Sequence, residues 1–407
     1  MEISESFDAD KSLNMINDSK NSLFFLYLAT LIMRAAAYIS IAVITSTKYL
    51  EIGVSNLTVG VIIAFYPLAE VLTVMFFGTL ADQIGRKPIL LFSHFISAVA
   101  VFCFALTNLV YALFLFTALF GIGAAAKVSS TLTMVSDSAS SENRAQLMAI
   151  FDMVTLGGLA GGYVVGVFLI NMYDVEPNHL FIGAGIIVFI SAVLVLFFVN
   201  ETRTVRTRNS SWFMLKSVFQ DRSIQHLLPV YIPTICLYGL IITFSERLTE
   251  RIDLSLGAPA FRVLALMGGT LFISMIINGR LSDRLEKRRP FITVGLICFG
   301  VLAILIVYYS ETMEILWTRW HVVLFVSLGA GAFPPAILAY LSDISKKDTS
   351  GTTFGVYSVI FGSGMIIGPL SGGAMLDHYG LPGFMVMVAV FVLVAAVGSV
   401  FLPEHIS

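Results

Sequence analysis

Four ionisable side chains lie deep inside apolar runs of this chain. At 1.5 Å per helical residue, Arg34 stands about 18 Å into the first run and Lys127 about 15 Å into the fourth. Glu70 and Asp152 each stand about 12 Å into their own runs. A charge at such depth costs several kcal/mol and marks a place that handles a solute, a proton or a partner charge. Two cations and two anions at similar depth fit two structural ion pairs. They also fit a polar site for a charged solute. The second reading is the stronger, because a buried pair adds little stability over apolar packing. The cations suit an anionic or zwitterionic solute. Asp152 is the first candidate for a proton carrier and Glu70 the second. A carboxyl that alternates between a dry setting and contact with a cation changes its proton affinity. On a helical wheel Asp152 falls roughly opposite Gly157 and Gly161, which leaves those glycines free to pack against a neighbour.

A second group sits in a short polar break. The segment from Gly78 to Pro88 reads Gly-Thr-Leu-Ala-Asp-Gln-Ile-Gly-Arg-Lys-Pro. Gly78 permits close helix approach, and Asp82 suits the positive end of a helix dipole. Arg86 and Lys87 follow Gly85, and Asp137 at the end of the fourth run is the expected partner of Arg86. The same residues also read as a positive anchor in a tight turn.

The elements that position these groups are membrane spans. The chain has 407 residues, 57% hydrophobic and 12% charged, with a mean hydropathy of +0.89. An ordinary soluble domain is about a quarter charged. Twelve runs are long enough to cross a bilayer core, which needs about 20 apolar residues per helix. They cover roughly 22–48, 58–79, 88–107, 110–135, 145–171, 179–199, 225–248, 260–280, 290–309, 320–341, 353–376 and 382–402, by that length criterion. Continuous apolarity without two-residue alternation argues against a β-barrel. Basic residues concentrate on the side shared by the termini, among them Arg203, Arg206, Arg208, Arg284, Lys287, Arg288, Arg289, Lys346 and Lys347. Lys48, Arg247, Arg251, Arg262 and Arg319 fall on the other. Both termini are therefore expected in the cytoplasm. Residues 1–21 read as a polar cytoplasmic tail and 403–407 as a short C-terminal one. The break at 200–224 reads as a linker between the two halves, 22–199 and 225–402. Ser211 caps a short interfacial helix there, with Trp212, Leu215, Val218 and Phe219 on one face.

The two halves repeat. Gly78, Leu80 and Asp82 recur as Gly279, Leu281 and Asp283, and basic residues close both segments. Ser136-Asp137 recurs as Ser342-Asp343, and Gly157, Gly161 and Gly166 recur as Gly364, Gly368 and Gly373. Matches in the same order mark two homologous six-span halves, a repeat type found in secondary transporters. Pro229 and Pro233 are expected to interrupt span 7, Pro334 and Pro335 span 10, and Pro369 span 11, since proline removes a helical hydrogen bond.

The loop from Gly78 to Lys87 resembles the signature G-x-L-x-D-x-x-G-R-K of the major facilitator superfamily at every fixed position. Its second copy departs from the signature, with Glu286 where the second glycine belongs. Gly364, Gly368, Pro369, Gly372 and Gly373 resemble the superfamily's antiporter motif of helix 5, although here they stand in span 11. In span 5 itself Gly162 replaces the proline. Thr117 stands where the superfamily places an arginine in helix 4, and Asn200-Glu201-Thr202 resembles its P-E-T signature. The resemblance implies an all-α membrane protein of twelve transmembrane helices in two pseudo-symmetric six-helix bundles, the major facilitator fold. It implies a conformational latch made of Gly78, Asp82, Gly85, Arg86, Lys87, Asp137 and Asp283. Spans 1 and 4 line the superfamily's central path, so Arg34 and Lys127 become the implied solute contacts. Tyr38 and Tyr238 join them, with Tyr66 and Phe333 as further aromatic residues for the path. Some proton-coupled drug antiporters of the superfamily carry a carboxylate in helix 5, as Asp152 would be.

The expected function is secondary active transport of a small organic solute by alternating access, with proton-coupled efflux first. Uptake of an anionic or zwitterionic nutrient is second, and a non-transporting receptor third. Enzyme signatures such as H-E-x-x-H, G-x-S-x-G and the P-loop are missing from the sequence. The histidines have no ligand spacing, and Cys103, Cys236 and Cys298 lie in apolar runs as packing residues. No cofactor and no metal is expected. A net charge of −2 gives no support to nucleic-acid binding. The expected partners are the solute, protons and the lipid of a plasma membrane, with the chain a monomer.

Overall fold

The computed structural model describes residues 2–45, 53–107, 109–138, 144–173, 175–202, 222–249, 258–309, 311–344 and 350–403. Among these every regular element is helical. Hydrocarbon offers no water to backbone N–H and C=O groups, and a helix satisfies them within itself. The helices are α1 (Glu2–Val43), α2 (Asn56–Ile84), α3 (Arg86–Ala105), α4 (Val110–Asp137), α5 (Arg144–Tyr173), α6 (Pro177–Phe198), α7 (Arg222–Thr249), α8 (Pro259–Leu285), α9 (Arg289–Tyr308), the short α10 (Met313–Thr318), α11 (Trp320–Ala330), α12 (Phe333–Ile344) and α13 (Ser350–Val400).

Among the described residues, eleven helical stretches are long and apolar enough to cross a membrane. The last of them, Val359–Val400, has 42 residues, or about 63 Å of helix against a core about 30 Å thick. It is two spans, divided where Gly380 takes φ 61° and ψ −158°. The total is then the expected twelve. Large apolar side chains such as Leu72, Phe95, Phe197, Phe272 and Leu393 are more than half exposed, a surface that lipid accepts and water would not.

Several boundaries differ from the sequence reading. Helix α1 already begins at Glu2, so the polar lead segment continues the first span as helix. The linker helix expected from Ser211 to Phe219 lies outside the described residues. Pro229 and Pro233 stay inside α7, whose non-helical residue is Phe244 (φ −115°, ψ 16°). Pro369 stays inside α13, whose break is at Gly380. In span 10 the break comes before the proline pair, at Gly331-Ala332, and Pro334 and Pro335 occupy the first turn of α12, where a missing N–H is harmless. The break strands the Leu328 carbonyl, which accepts from Ser274 Oγ at 2.5 Å and Asn278 Nδ2 at 3.2 Å.

The chain divides into two compact units. One comprises Met1–Ile52 and Phe65–Arg208, the other Gly53–Ala64 and Asn209–Ser407. The first turns of α2 thus belong to the second unit rather than to the N-terminal half. There the Asp377 carboxylate accepts from the backbone N–H of Asn56 (3.0 Å) and Leu57 (2.8 Å) and from Asn56 Nδ2 (2.8 Å). It satisfies N–H groups that the start of a helix leaves open.

Within the first unit α1 and α5 approach at backbone distance. A Cβ on Gly158 would stand 2.6 Å from the Leu31 carbonyl, one on Gly162 would meet the Ala35 backbone, and one on Gly166 would stand 2.9 Å from the Ala42 Cβ. The end of this unit that carries the Gly85 turn closes on Leu26, Leu90, Met134, Phe151 and Val195. The second unit packs on Leu227, Tyr231, Leu296, Ile337 and Tyr340.

Candidate functional site

The mid-depth polar group of the first unit is built from α1, α2 and α4. Gly158 receives the Arg34 Cβ, which stands 2.9 Å from where its own Cβ would be, and so fixes the root of the arginine. Arg34 Nη1 donates to the Tyr66 hydroxyl at 2.9 Å. Its Nε is buried with no hydrogen-bond partner among the described residues. Gly121 passes against the Tyr66 carbonyl and brings α4 beside α2. Lys127, one and a half turns further along α4, is 1% exposed. The charges of Arg34, Glu70 and Lys127 act on one another, and Tyr38 and Tyr66 lie in the same field. Among the described residues no ion pair within 4 Å joins these three charged groups. A desolvated guanidinium with a spare N–H can donate a charge-assisted hydrogen bond to a carboxylate or another compact anion.

The loop after α2 forms a second group. Gly85 has φ 110° and ψ 155°, a conformation essentially confined to glycine. The turn lets the Glu201 carboxylate accept from the backbone N–H of Arg86 and Lys87, each at 3.0 Å, so Glu201 caps α3. Arg86 Nε stands 3.1 Å from Asp137 Oδ2, and Nη2 stands 3.6 Å from Asp82. The Arg86 and Asp137 side chains are each 3% exposed. Lys87 Nζ donates to the Leu196 carbonyl at 2.8 Å.

The second unit repeats this arrangement with other residues. Arg288 lies 2.6 Å from Asp283 and 2.9 Å from Asp343. Partial burial works against the Arg288 charge, but hydrogen bonds and attraction from Asp343 and Asp283 outweigh it and raise its pKa above the ordinary guanidinium value. Glu286 takes the turn at φ 51° and ψ 32°. That is the left-handed region, which a non-glycine residue tolerates at a cost. The second copy therefore turns through a left-handed residue where the first uses the extended conformation of Gly85.

These two loop clusters and the helical order have clear counterparts. The sequence pattern of the Major Facilitator Superfamily matches residues 24–326 and 256–406. The chain belongs to the major facilitator superfamily. Membership makes it a membrane transporter and not an enzyme. It is 23% identical over 342 residues to Quinolone resistance protein NorA of Staphylococcus aureus, covering 82% of this chain and 85% of that one. It is 26% identical over 386 residues to Multidrug resistance protein 2 of Bacillus subtilis, covering 89% and 92%. The nucleoside transporter NupG shares the fold with a TM-score of 0.68 at 12% identity, over 93% of this chain and 98% of that one. A bacterial homologue of the human lysosomal transporter Spinster does so at 0.67 and 13%, over 94% and 96%.

Within this superfamily transporter the expected residues divide. Arg34, Tyr38, Glu70 and Lys127 fall in one field, with Tyr66 hydrogen-bonded into it. The Asp152 side chain lies outside the described residues. Tyr238 stands in the second unit, its ring 6.4 Å from Phe361. Gly78 is partly buried. Gly364 and Gly368 pack against Ile235 and Cys236 of α7, and Pro369 is buried against Gly239. Gly157 and Gly161 are exposed, and a Cβ on Gly161 would meet open space. The packing glycines are their neighbours Gly158, Gly162 and Gly166. The sequence showed both phases of the run Gly157-Gly158 and Gly161-Gly162, and periodicity alone does not choose between adjacent glycines. Arg288 and the capping role of Glu201 were not singled out. The signal for Arg288 was its place beside Asp283 in the repeat, and for Glu201 the match to the P-E-T segment.

Proposed function

We propose that this transporter expels a small organic solute bearing a carboxylate, alone or as a zwitterion, in exchange for protons. The observation that carries the reading is the Arg34 Nε–H, buried without a partner in the field of Lys127 and Glu70. A bound carboxylate would take that hydrogen and compensate both cations. The relatives named for quinolone and multidrug resistance support the same class, since a fluoroquinolone carries a carboxylate and an amine. Glu70, which acts on both Arg34 and Lys127, is taken as the proton carrier, with Asp152 as its rival. The cluster of Gly78, Asp82, Gly85, Arg86, Lys87 and Asp137, with Asp283 in the second unit, acts as the latch of the cycle. The protein works as a monomer in the plasma membrane with both termini in the cytoplasm.

The test is flux of a fluoroquinolone in proteoliposomes with an imposed pH gradient. The reading requires quinolone movement opposite to the protons and proportional to the gradient. Movement in the same direction as the protons would turn the reading to uptake of an anionic or zwitterionic nutrient. Flux indifferent to the gradient would remove proton coupling.

A further inference from the structure

Two facing helices of the first unit bury a row of polar atoms that their own packing leaves without partners. On α3 these are His94 Nε2 and Ser97 Oγ, and on α4 Ser130 Oγ and Thr131 Oγ1. All four residues, and Lys127 with them, are at most 1% exposed. Each such atom is destabilising if nothing satisfies it. Positions 94 and 97 share one face of α3, and positions 123, 127, 130 and 131 share one face of α4. Three contacts fix the antiparallel register of these faces. Gly123 meets Ser97 Oγ and the Ser93 carbonyl, Leu90 shares a core with Met134 and Val135, and Arg86 pairs with Asp137. One turn inward from the Gly123–Ser97 contact, Lys127 comes level with His94, and its charge acts on the ring.

The tautomer of His94 follows from its hydrogen bonds. Nδ1 stands 2.8 Å from the Leu90 carbonyl, which only accepts, so Nδ1 carries the proton. Ser93 Oγ donates its own hydrogen to the same carbonyl at 2.6 Å. A second ring proton would set an imidazolium beside a buried ammonium, which both desolvation and repulsion oppose. Nε2 is therefore a bare acceptor. An ammonium has three hydrogens to place and no acceptor of its own.

We propose that His94 is a positioning residue for Lys127: its bare Nε2 is the acceptor to which the Lys127 ammonium swings during the transport cycle, holding that cation against α3. The charged groups that act on Lys127 are Arg34, which repels it, and Glu70, which attracts it. His94 thus supplies a neutral alternative to Glu70, which holds the lysine in place before a carboxylate arrives. The inference deepens the proposed function, because it rests on Lys127 being a solute contact, but its test uses no solute.

The experiment is nitrogen-15 spectroscopy of the full chain in lipid nanodiscs, with histidine and lysine labelled. The six histidines give few signals, and those of His94 are the ones lost in His94→Gln. The expected result is a non-protonated His94 Nε2 with a through-space contact to a lysine ammonium. That signal should move in Lys127→Met while those of the other histidines stay fixed. Should Lys127→Met fail to fold, Lys127→Arg serves in its place, with loss of the lysine contact as the expected change. A protonated Nε2, or an Nε2 with no lysine contact, overturns the proposal, as does a signal that neither substitution moves. Quinolone flux is measured separately, so its absence would sink the proposed function and leave the contact unaffected.

Discussion

Gly85 and Glu286 stand at matching places of the repeat, each at positive φ but with different backbone conformations (φ 110°, ψ 155° and φ 51°, ψ 32°). Gly85 sits at φ 110°, and a Cβ there would stand 2.6 Å from Glu201 Oε2. That carboxylate is pinned by two backbone N–H groups, so it has little freedom to retreat. Gly85→Ala should destabilise the folded protein by roughly 1–3 kcal/mol. Glu286, at φ 51°, already bears the left-handed cost, and Glu286→Gly should stabilise by up to about 1 kcal/mol. Thermal unfolding in one detergent checks both, and an unchanged or raised unfolding temperature for Gly85→Ala, or a lowered one for Glu286→Gly, would overturn the strain assigned to that turn. A second residue-level expectation concerns the cations. Arg34→Gln or Lys127→Met should weaken fluoroquinolone binding by about 2 kcal/mol or more, the usual cost of truncating one member of a desolvated charged pair. Unchanged affinity with a lowered unfolding temperature would instead make these residues structural ion partners.

Among the elements, the α1–α5 seam shows what a sequence reveals and what it withholds. Spans, repeat and loop motif were legible because each rests on a local property: apolar length, an ordered set of matches, a fixed spacing. The place of Arg34, Glu70 and Lys127 well inside their helices was legible for the same reason, since a helix advances by a constant rise. The packing phase of α5 was not. Gly157 and Gly158 both offer a missing Cβ, and the choice is made by α1, which places the Leu31 carbonyl, the Ala35 backbone and the Ile39 backbone against Gly158, Gly162 and Gly166. The breaks were misplaced on similar grounds. Proline marks where a hydrogen bond is lost, but neighbours decide whether the helix bends there, and Gly331 and Gly380 yielded instead. The seam gives a paired prediction. Gly162→Val should strongly lower the amount of folded protein, because its side chain has to enter the Ala35 backbone, whereas Gly161→Val should be nearly silent. Equal losses for the two, measured by size-exclusion recovery after heating, would refute this phase of the helix.

For the whole molecule the proposed exchange for protons turns on which carboxylate carries the proton. With the packing glycines at 158, 162 and 166, position 152 comes within about 80° of Gly162 on the wheel of α5, at 100° per residue. It no longer falls opposite the packing face, which was the sequence argument for Asp152. Glu70 lies in the field of Arg34, Lys127, Tyr38 and Tyr66, where a change in the lysine's position changes the carboxylate's surroundings. A group that meets a cation in one state and a dry wall in another takes up and releases a proton in turn. Glu70→Gln should therefore abolish quinolone accumulation driven by a pH gradient while leaving gradient-independent exchange of labelled for unlabelled quinolone intact. Asp152→Asn should keep gradient-driven accumulation to within about threefold, since a change under 1 kcal/mol is expected for a carboxylate outside the coupling step. The opposite pattern, with Asp152→Asn uncoupled and Glu70→Gln still driven, would return the coupling role to α5. Loss of exchange as well as accumulation in Glu70→Gln would place Glu70 in solute binding rather than in proton transfer.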